Sequence, residues 1–150
     1  MIKFVVYGDP LPKGSARAFV PKGWTRPIIT SATKGLKGWE GKIAAAAGAQ
    51  ANGVLLTEAV IVTVAFYLAR PKSKPKKPIP HITRPDLDKL IRGATDALTG
   101  IIWKDDAQAV EIHATKTYVE TQEEAPRAEF TILPLSEVPL VLRPGVVGAF

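Results

Sequence analysis

The apolar positions of this chain switch period several times, and each switch marks an element. Ile2, Phe4 and Val6 alternate, predicting a strand over 1–7. From Gly8 to Pro27, prolines and glycines break any period and predict a loop. Leu36, Trp39, Ile43, Ala46, Ala47 and Gln50 then recur at helical spacing. They predict a helix over 33–51, capped by Ser31 or Thr33 and stopped at Asn52-Gly53. The run from Glu58 to Leu68 is apolar on both faces, the mark of a strand in the interior of a sheet. A proline- and lysine-rich stretch over 70–84 predicts an extended, exposed arm.

The helix predicted over 86–98 is the best specified element. Leu87, Leu90, Ile91, Ala94, Ala97 and Leu98 form one stripe, and Gly100 ends it. A strand over 109–120 follows, with Val110, Ile112, Ala114 and Tyr118 on one face. After an acidic turn at 121–126 comes a strand over 127–133, with Ala128, Phe130 and Ile132 inward. The tail over 134–150 is irregular and apolar (Val138, Leu140, Val141, Leu142, Val146, Val147, Phe150), suited to packing on the body or on a partner. The expected order is β-α-β-α-β-β. This is an α/β (α+β) chain with a small mixed sheet of about four strands and two main helices, forming a single domain over 1–150.

Composition narrows the function. The chain has 150 residues, 46% of them hydrophobic, enough for a packed core. There is no cysteine, so thiol catalysis, disulfides and thiolate metal sites are excluded, and two histidines make a histidine-based zinc site a poor expectation. No apolar run is long enough for a membrane helix, and the N-terminus reads as a strand rather than a leader, so a cytoplasmic, intracellular protein is expected. The net charge of +6 argues for an anionic partner, most often nucleic acid.

The charge is also sorted along the chain. Lys13, Arg17, Lys22 and Arg26 fill the first loop around Phe19 and Trp24, a composition that suits a nucleic-acid backbone with bases to stack on. The same Trp24 would equally serve a surface loop by folding back onto the core. Lys72, Lys74, Lys76 and Lys77 load the arm, which reads as a phosphate-binding segment or as a solvated linker. His81, inside it, reads as a DNA contact or a solvated loop residue.

Directly after the arm come two acidic pairs, Asp86/Asp88 and Asp105/Asp106. Pro85 keeps Arg84 extended, so Asp86 enters the helix from a strand-like approach. Converging carboxylates would suit Mg²⁺, which takes one or two of them with waters and phosphate oxygens. The plainer reading also holds. Asp86 is a good N-cap, Asp88 suits the positive end of the helix dipole, Asp88 and Arg92 suit an i, i+4 pair, and Asp105-Asp106 suits a turn. Trp103 reads as core packing, Gln108 as orienting a carboxylate or capping the strand, and Lys104 as a phosphate contact or an exposed turn residue.

The run RPDLDKLIRGATDALTGIIWKDDAQAV resembles the signature of the RusA family of crossover-junction endodeoxyribonucleases, the Holliday junction resolvases. Arg84, Asp86, Leu87, Asp88, Leu90, Asp96, Ala97, Leu98, Trp103, Asp105, Asp106 and Gln108 stand in matching positions. The resemblance implies a small mixed α/β homodimer. It also implies that Asp86, Asp88 and Asp106 bind Mg²⁺ (with Mn²⁺ as a possible substitute), Asp105 being a weaker candidate. Arg92 falls where the family has a catalytically important lysine, and Lys89 where it has asparagine.

Taken with the resemblance, the expectation is a Mg²⁺-dependent, structure-selective DNA endonuclease that nicks four-way junctions symmetrically in recombination and repair. Asp86, Asp88, Asp106 and Arg92 would be catalytic, and Lys13, Arg17, Lys72, Lys74, Lys76, Lys77, Arg84 and Lys89 would hold DNA. The alternatives are a basic DNA-binding protein that does not cut, its aspartates serving as caps and ion-pair partners, and a small structural protein that assembles through its apolar tail.

Overall fold

The computed structural model describes residues 1–14, 16–31 and 33–145. Its elements are β1 (Ile2–Tyr7), β2 (Ala16–Phe19), β3 (Ile28–Ser31), α1 (Leu36–Ala51), β4 (Val60–Leu68), α2 (Leu87–Leu98), β5 (Ala109–Tyr118) and β6 (Arg127–Pro134). Four strands make one mixed sheet in the order β1-β6-β4-β5. β1–β6 and β6–β4 are antiparallel, and β4–β5 is parallel, with α2 as the crossover. The expected α+β class, the sheet of four strands and the two helices are all present. β4 lies inside the sheet, as its two-sided apolar run predicts.

Period-2 alternation puts one face of the sheet under the helices. Phe4 lies opposite Phe130, Val6 opposite Ala128, Val62 opposite Ile132 and Val64 opposite Phe130, all of them buried. Leu36, Trp39, Ile43 and Ala47 of α1 join the same core with Leu90, Ala94 and Leu98 of α2. Phe4 stacks on Phe130 with ring centroids 4.7 Å apart, and Phe66 meets Phe130 edge-on at 6.5 Å. Trp103 is fully buried, and its indole Nε1 donates to Thr99 Oγ1 at 3.2 Å, so it is a core residue as expected. On the other face Val5 and Tyr7 are exposed.

Three predicted features change. The loop expected over 8–27 contains β2, which pairs with β3 as an antiparallel hairpin. The full order is therefore β-β-β-α-β-α-β-β. Each hairpin strand has four residues, too few to show a period, and the large apolar side chains of Phe19 and Ile29 stay exposed. Helix α1 starts at Leu36, and its N-cap residue is Gly35, in a left-handed conformation, rather than Ser31 or Thr33. Its end at Asn52 is as predicted. In β5, Ala109 faces Val60 and Glu111 faces Ile61, so Val110 is the extra residue of a bulge and is exposed instead of buried. Beyond it Ile112, Ala114, Lys116 and Tyr118 pair with Val62, Val64, Phe66 and Leu68 on the helix side. Ile112 is partly exposed there because β5 is the sheet edge.

The tail forms two short 3₁₀ turns, Leu135–Glu137 and Leu140–Leu142. Val138 packs inward, while Leu140, Val141 and Leu142 are exposed. Val146, Val147 and Phe150 lie outside the described residues. Among the described residues no helix is long and apolar enough to cross a membrane.

Candidate nuclease site

Asp86 is the N-cap residue of α2, with extended backbone at φ −72° and ψ 139°, and its carboxylate makes no cap hydrogen bond. The helix start is therefore not what occupies this side chain. Asp88 lies in the first turn, where the helix dipole favours negative charge, and it is exposed. Lys89 Nζ lies 3.2 Å from Asp86 Oδ2. Arg92 is exposed, and among the described residues it forms no ion pair, so the expected Asp88–Arg92 pair is not made. The Arg84–Pro85 peptide just ahead of this pair is cis.

The second acidic pair sits elsewhere. Asp105 caps a 3₁₀ turn, Asp106–Gln108, by accepting from the Ala107 amide at 2.9 Å. Gln108 Oε1 accepts from the Lys104 and Asp105 amides at 2.9 and 3.0 Å, and its Nε2 donates to the carbonyls of Leu56 and Glu58 at 3.0 and 2.9 Å. The turn is thus stapled to the segment entering β4, which makes Gln108 the capping residue. Asp105 is committed to this cap, whereas Asp106 remains exposed. Most of α2 and the segment 99–104 separate Asp88 from Asp105. At 1.5 Å per residue α2 is about 18 Å long. Lys116, paired with Phe66 near the end of β4, reaches the carbonyl of Pro85 next to Asp86, whereas Asp105 and Asp106 stand at the start of β5, which runs parallel to β4. Among the described residues, no three Asp, Glu, His or Cys side chains are close enough to hold one metal ion.

The basic residues divide into presented and withdrawn. Lys72, Lys76, Lys77, Arg84 and Arg17 are exposed, and Lys74 is half-buried. Trp24, 61% exposed at the hairpin, does not fold back onto the core. Lys13 is withdrawn: its Nζ lies 2.6 Å from Asp96 and 3.6 Å from Glu40. The hydrogen bond and charge of Asp96 hold its ammonium above the usual lysine value. Lys13 also donates its amide to the Lys89 carbonyl at 2.9 Å, so the first loop is tied across α2.

Two residues that the sequence did not single out organise the arm. Arg70 donates from Nε to the Val119 carbonyl at 3.0 Å and from Nη1 to the carbonyls of Pro75 and Lys77 at 2.6 and 3.1 Å. One planar guanidinium thus fixes the curvature of the lysine-bearing segment. Lys116 reaches from β5 to the carbonyls of Thr83 and Pro85 at 2.9 and 2.8 Å. Its signal in the sequence was parity, since it falls on the same alternation as Ala114 and Tyr118. His81 is buried, neither solvated nor a surface contact, with its ring 4.3 Å from that of Tyr118. Burial first, and then the charge of Lys116, push its pKa down.

A basic arm thus leads into two exposed carboxylates at a helix start, Asp86 being paired with Lys89. The model of the RusA endodeoxyribonuclease family matches residues 9–132, and the chain belongs to that family. A Bacillus subtilis (strain 168) protein, the uncharacterised YqaN, is 32% identical over 145 residues, covering 90% of this chain and 97% of its own length.

Proposed function

We propose that the protein is a divalent-metal-dependent endonuclease that nicks four-way DNA junctions, with its site at the N-terminus of α2. The observation that carries this reading is the state of Asp86: it stands at the cap position, makes no cap bond, and is half-exposed directly after the basic arm. Membership of the RusA family supports the chemistry.

The donor set fits magnesium in kind. Asp86 and Asp88 offer exposed carboxylate oxygens, and a hard cation needs only one or two from the protein when waters and phosphate supply the rest. Bound there, the ion would polarise the phosphodiester and lower the pKa of the attacking water. Arg92, one turn further along α2, would hold the scissile phosphate and offset the developing charge. Its guanidinium stays protonated, so unlike a lysine it cannot deliver a proton to the leaving oxygen. Lys72, Lys74, Lys76, Lys77, Arg84 and Arg17 would neutralise the DNA backbone around the cut.

The placement of the acidic pairs toward opposite ends of α2, a helix about 18 Å long, favours a homodimer. A two-fold copy can bring its Asp105–Asp106 turn to the Asp86–Asp88 end of the first chain, with the reverse at the symmetric site. Two equivalent sites also match the symmetric nicks that a four-way junction requires, the chemistry of recombination and repair.

The test is a nicking assay on a four-way junction with Mg²⁺. Asp88→Asn should abolish cutting while junction binding persists; full activity in that variant rules the site out. The Lys89–Asp86 ion pair favours a second reading, a basic DNA-binding protein that does not cut. That protein would bind junctions with the same salt sensitivity but show no metal-dependent turnover.

A further inference from the structure

Lys116 lies on the helix-bearing side of β5, opposite Phe66, whose side chain is fully buried. An ammonium turned toward that side needs partners. Among the described residues it forms no ion pair; it donates instead to two carbonyls, Thr83 O at 2.9 Å and Pro85 O at 2.8 Å. These flank Arg84 and are the last residues before Asp86. Tyr118, two residues along the same strand, adds a hydroxyl 3.5 Å from Thr83 Oγ1 and a ring against His81. Upstream, the arm is rich in proline and has few backbone amides to give. Lys116 and Tyr118 of β5 thus pin the stretch from His81 to Pro85 to the sheet.

We infer that Lys116 is the positioning residue of the nuclease site, fixing the angle at which the chain enters α2 and hence the direction of the Asp86 carboxylate. Asp86 makes no cap bond, and its ion-pair partner Lys89 stands one turn along the same helix, so both follow the angle at which the chain enters α2. The backbone there is held by two charge-assisted hydrogen bonds converging on one cation. Partners that orient a ligand commonly change metal affinity or activity by about 10- to 100-fold when removed. Lys116 acts through the backbone and touches no substrate. This inference rests on the endonuclease reading above, with Asp86 in the site.

The experiment compares full-length wild type, Lys116→Met, Lys116→Arg and Asp86→Asn. Nicking kcat and KM, Mn²⁺ affinity by calorimetry, junction Kd in Ca²⁺ and thermal unfolding are measured for each. Lys116→Met should lower kcat and Mn²⁺ affinity by about 10-fold or more and leave junction Kd within about twofold, with Lys116→Arg recovering most of the loss. In an Asp86→Asn background, Lys116→Met should cause no further loss, since the two act as one unit. Unchanged kcat and Mn²⁺ affinity in Lys116→Met would overturn the inference. So would a loss confined to junction Kd, which makes Lys116 a phosphate contact. If Lys116→Met does not fold, Lys116→Gln, which keeps a neutral donor, carries the same expectation. Full activity in Asp86→Asn is a different failure, that of the site itself.

Discussion

Lys89 Nζ lies 3.2 Å from Asp86 Oδ2, one turn into α2. An ammonium therefore stands where a divalent cation would have to approach. Both side chains are about half exposed, so the pair is a weak one, worth at most about 1 kcal/mol. Metal and lysine compete for the same oxygen. Lys89→Asn should lower the Mg²⁺ concentration needed for half-maximal nicking by up to about fivefold, the factor equivalent to that energy. A metal requirement that is unchanged or higher in this variant would mean that Lys89 does not compete with the metal for Asp86.

Lys13 and the arm lysines should behave as different kinds of residue. Lys13 is spent on Asp96 and Glu40, and it holds the first loop against α2. Lys13→Met should destabilise the fold by about 1 kcal/mol, as expected for a partly exposed pair, without changing the salt dependence of junction binding. Its folded pKa lies above the unfolded value of 10.5, so its stabilising share is complete below about pH 10.5 and is lost as pH rises through the folded value. Lys76→Met should do the opposite: unaltered unfolding, and a slope of log K against log salt shallower by a little under one. Swapped results would return Lys13 to the DNA-binding surface.

His81 gives the acid limb of stability. Its folded pKa lies below the unfolded value of 6.5, because burial and then Lys116 oppose the charged form. Above that value the ring is neutral in both states and its contribution is intact. As pH falls below about 6.5 the unfolded chain takes up a proton before the folded one does, and stability drops toward the lower, folded value. Urea unfolding at pH 7.5 and 5.5 should show a loss in the wild type that His81→Phe, which keeps a ring beside Tyr118, reduces. Parallel losses in the two proteins would remove His81 from the account.

What was readable in the sequence follows from how strongly each element repeats. α2 carries an unbroken apolar stripe and β4 an apolar run too long for a turn, and both lie where their periods place them. The hairpin of β2 and β3 is invisible to periodicity, because strands of four residues are too short to show a period. The bulge at Val110 shifts the parity of β5 by one, which a strict alternation cannot anticipate. The acidic residues themselves are legible, but their spatial relation is not: the sequence leaves convergence open beside caps and a turn. A contrary signal lies in the same stretch, since most of a helix separates Asp88 from Asp105, and a helix moves the chain away from its own start. Lys116 and Arg70 were passed over because a hydrogen bond to a distant carbonyl leaves no motif.

That separation leads to the sharpest test of the dimer. If Asp86 and Asp88 act with Asp106 of a second copy, Asp88→Asn and Asp106→Asn homodimers are both inactive, each carrying one defect at every site. Mixed after unfolding and refolding together, they also form heterodimers. In a heterodimer one site collects both defects and the other collects neither. Nicking should therefore reappear in the mixture, as single-strand cuts rather than paired ones, because only one of the two sites works. If each chain builds its site alone, every site in the mixture keeps one defect and no activity returns. The reading of a shared site stands on the placement of the acidic pairs toward opposite ends of α2, a helix about 18 Å long, and the recovery of single nicks is the outcome it requires.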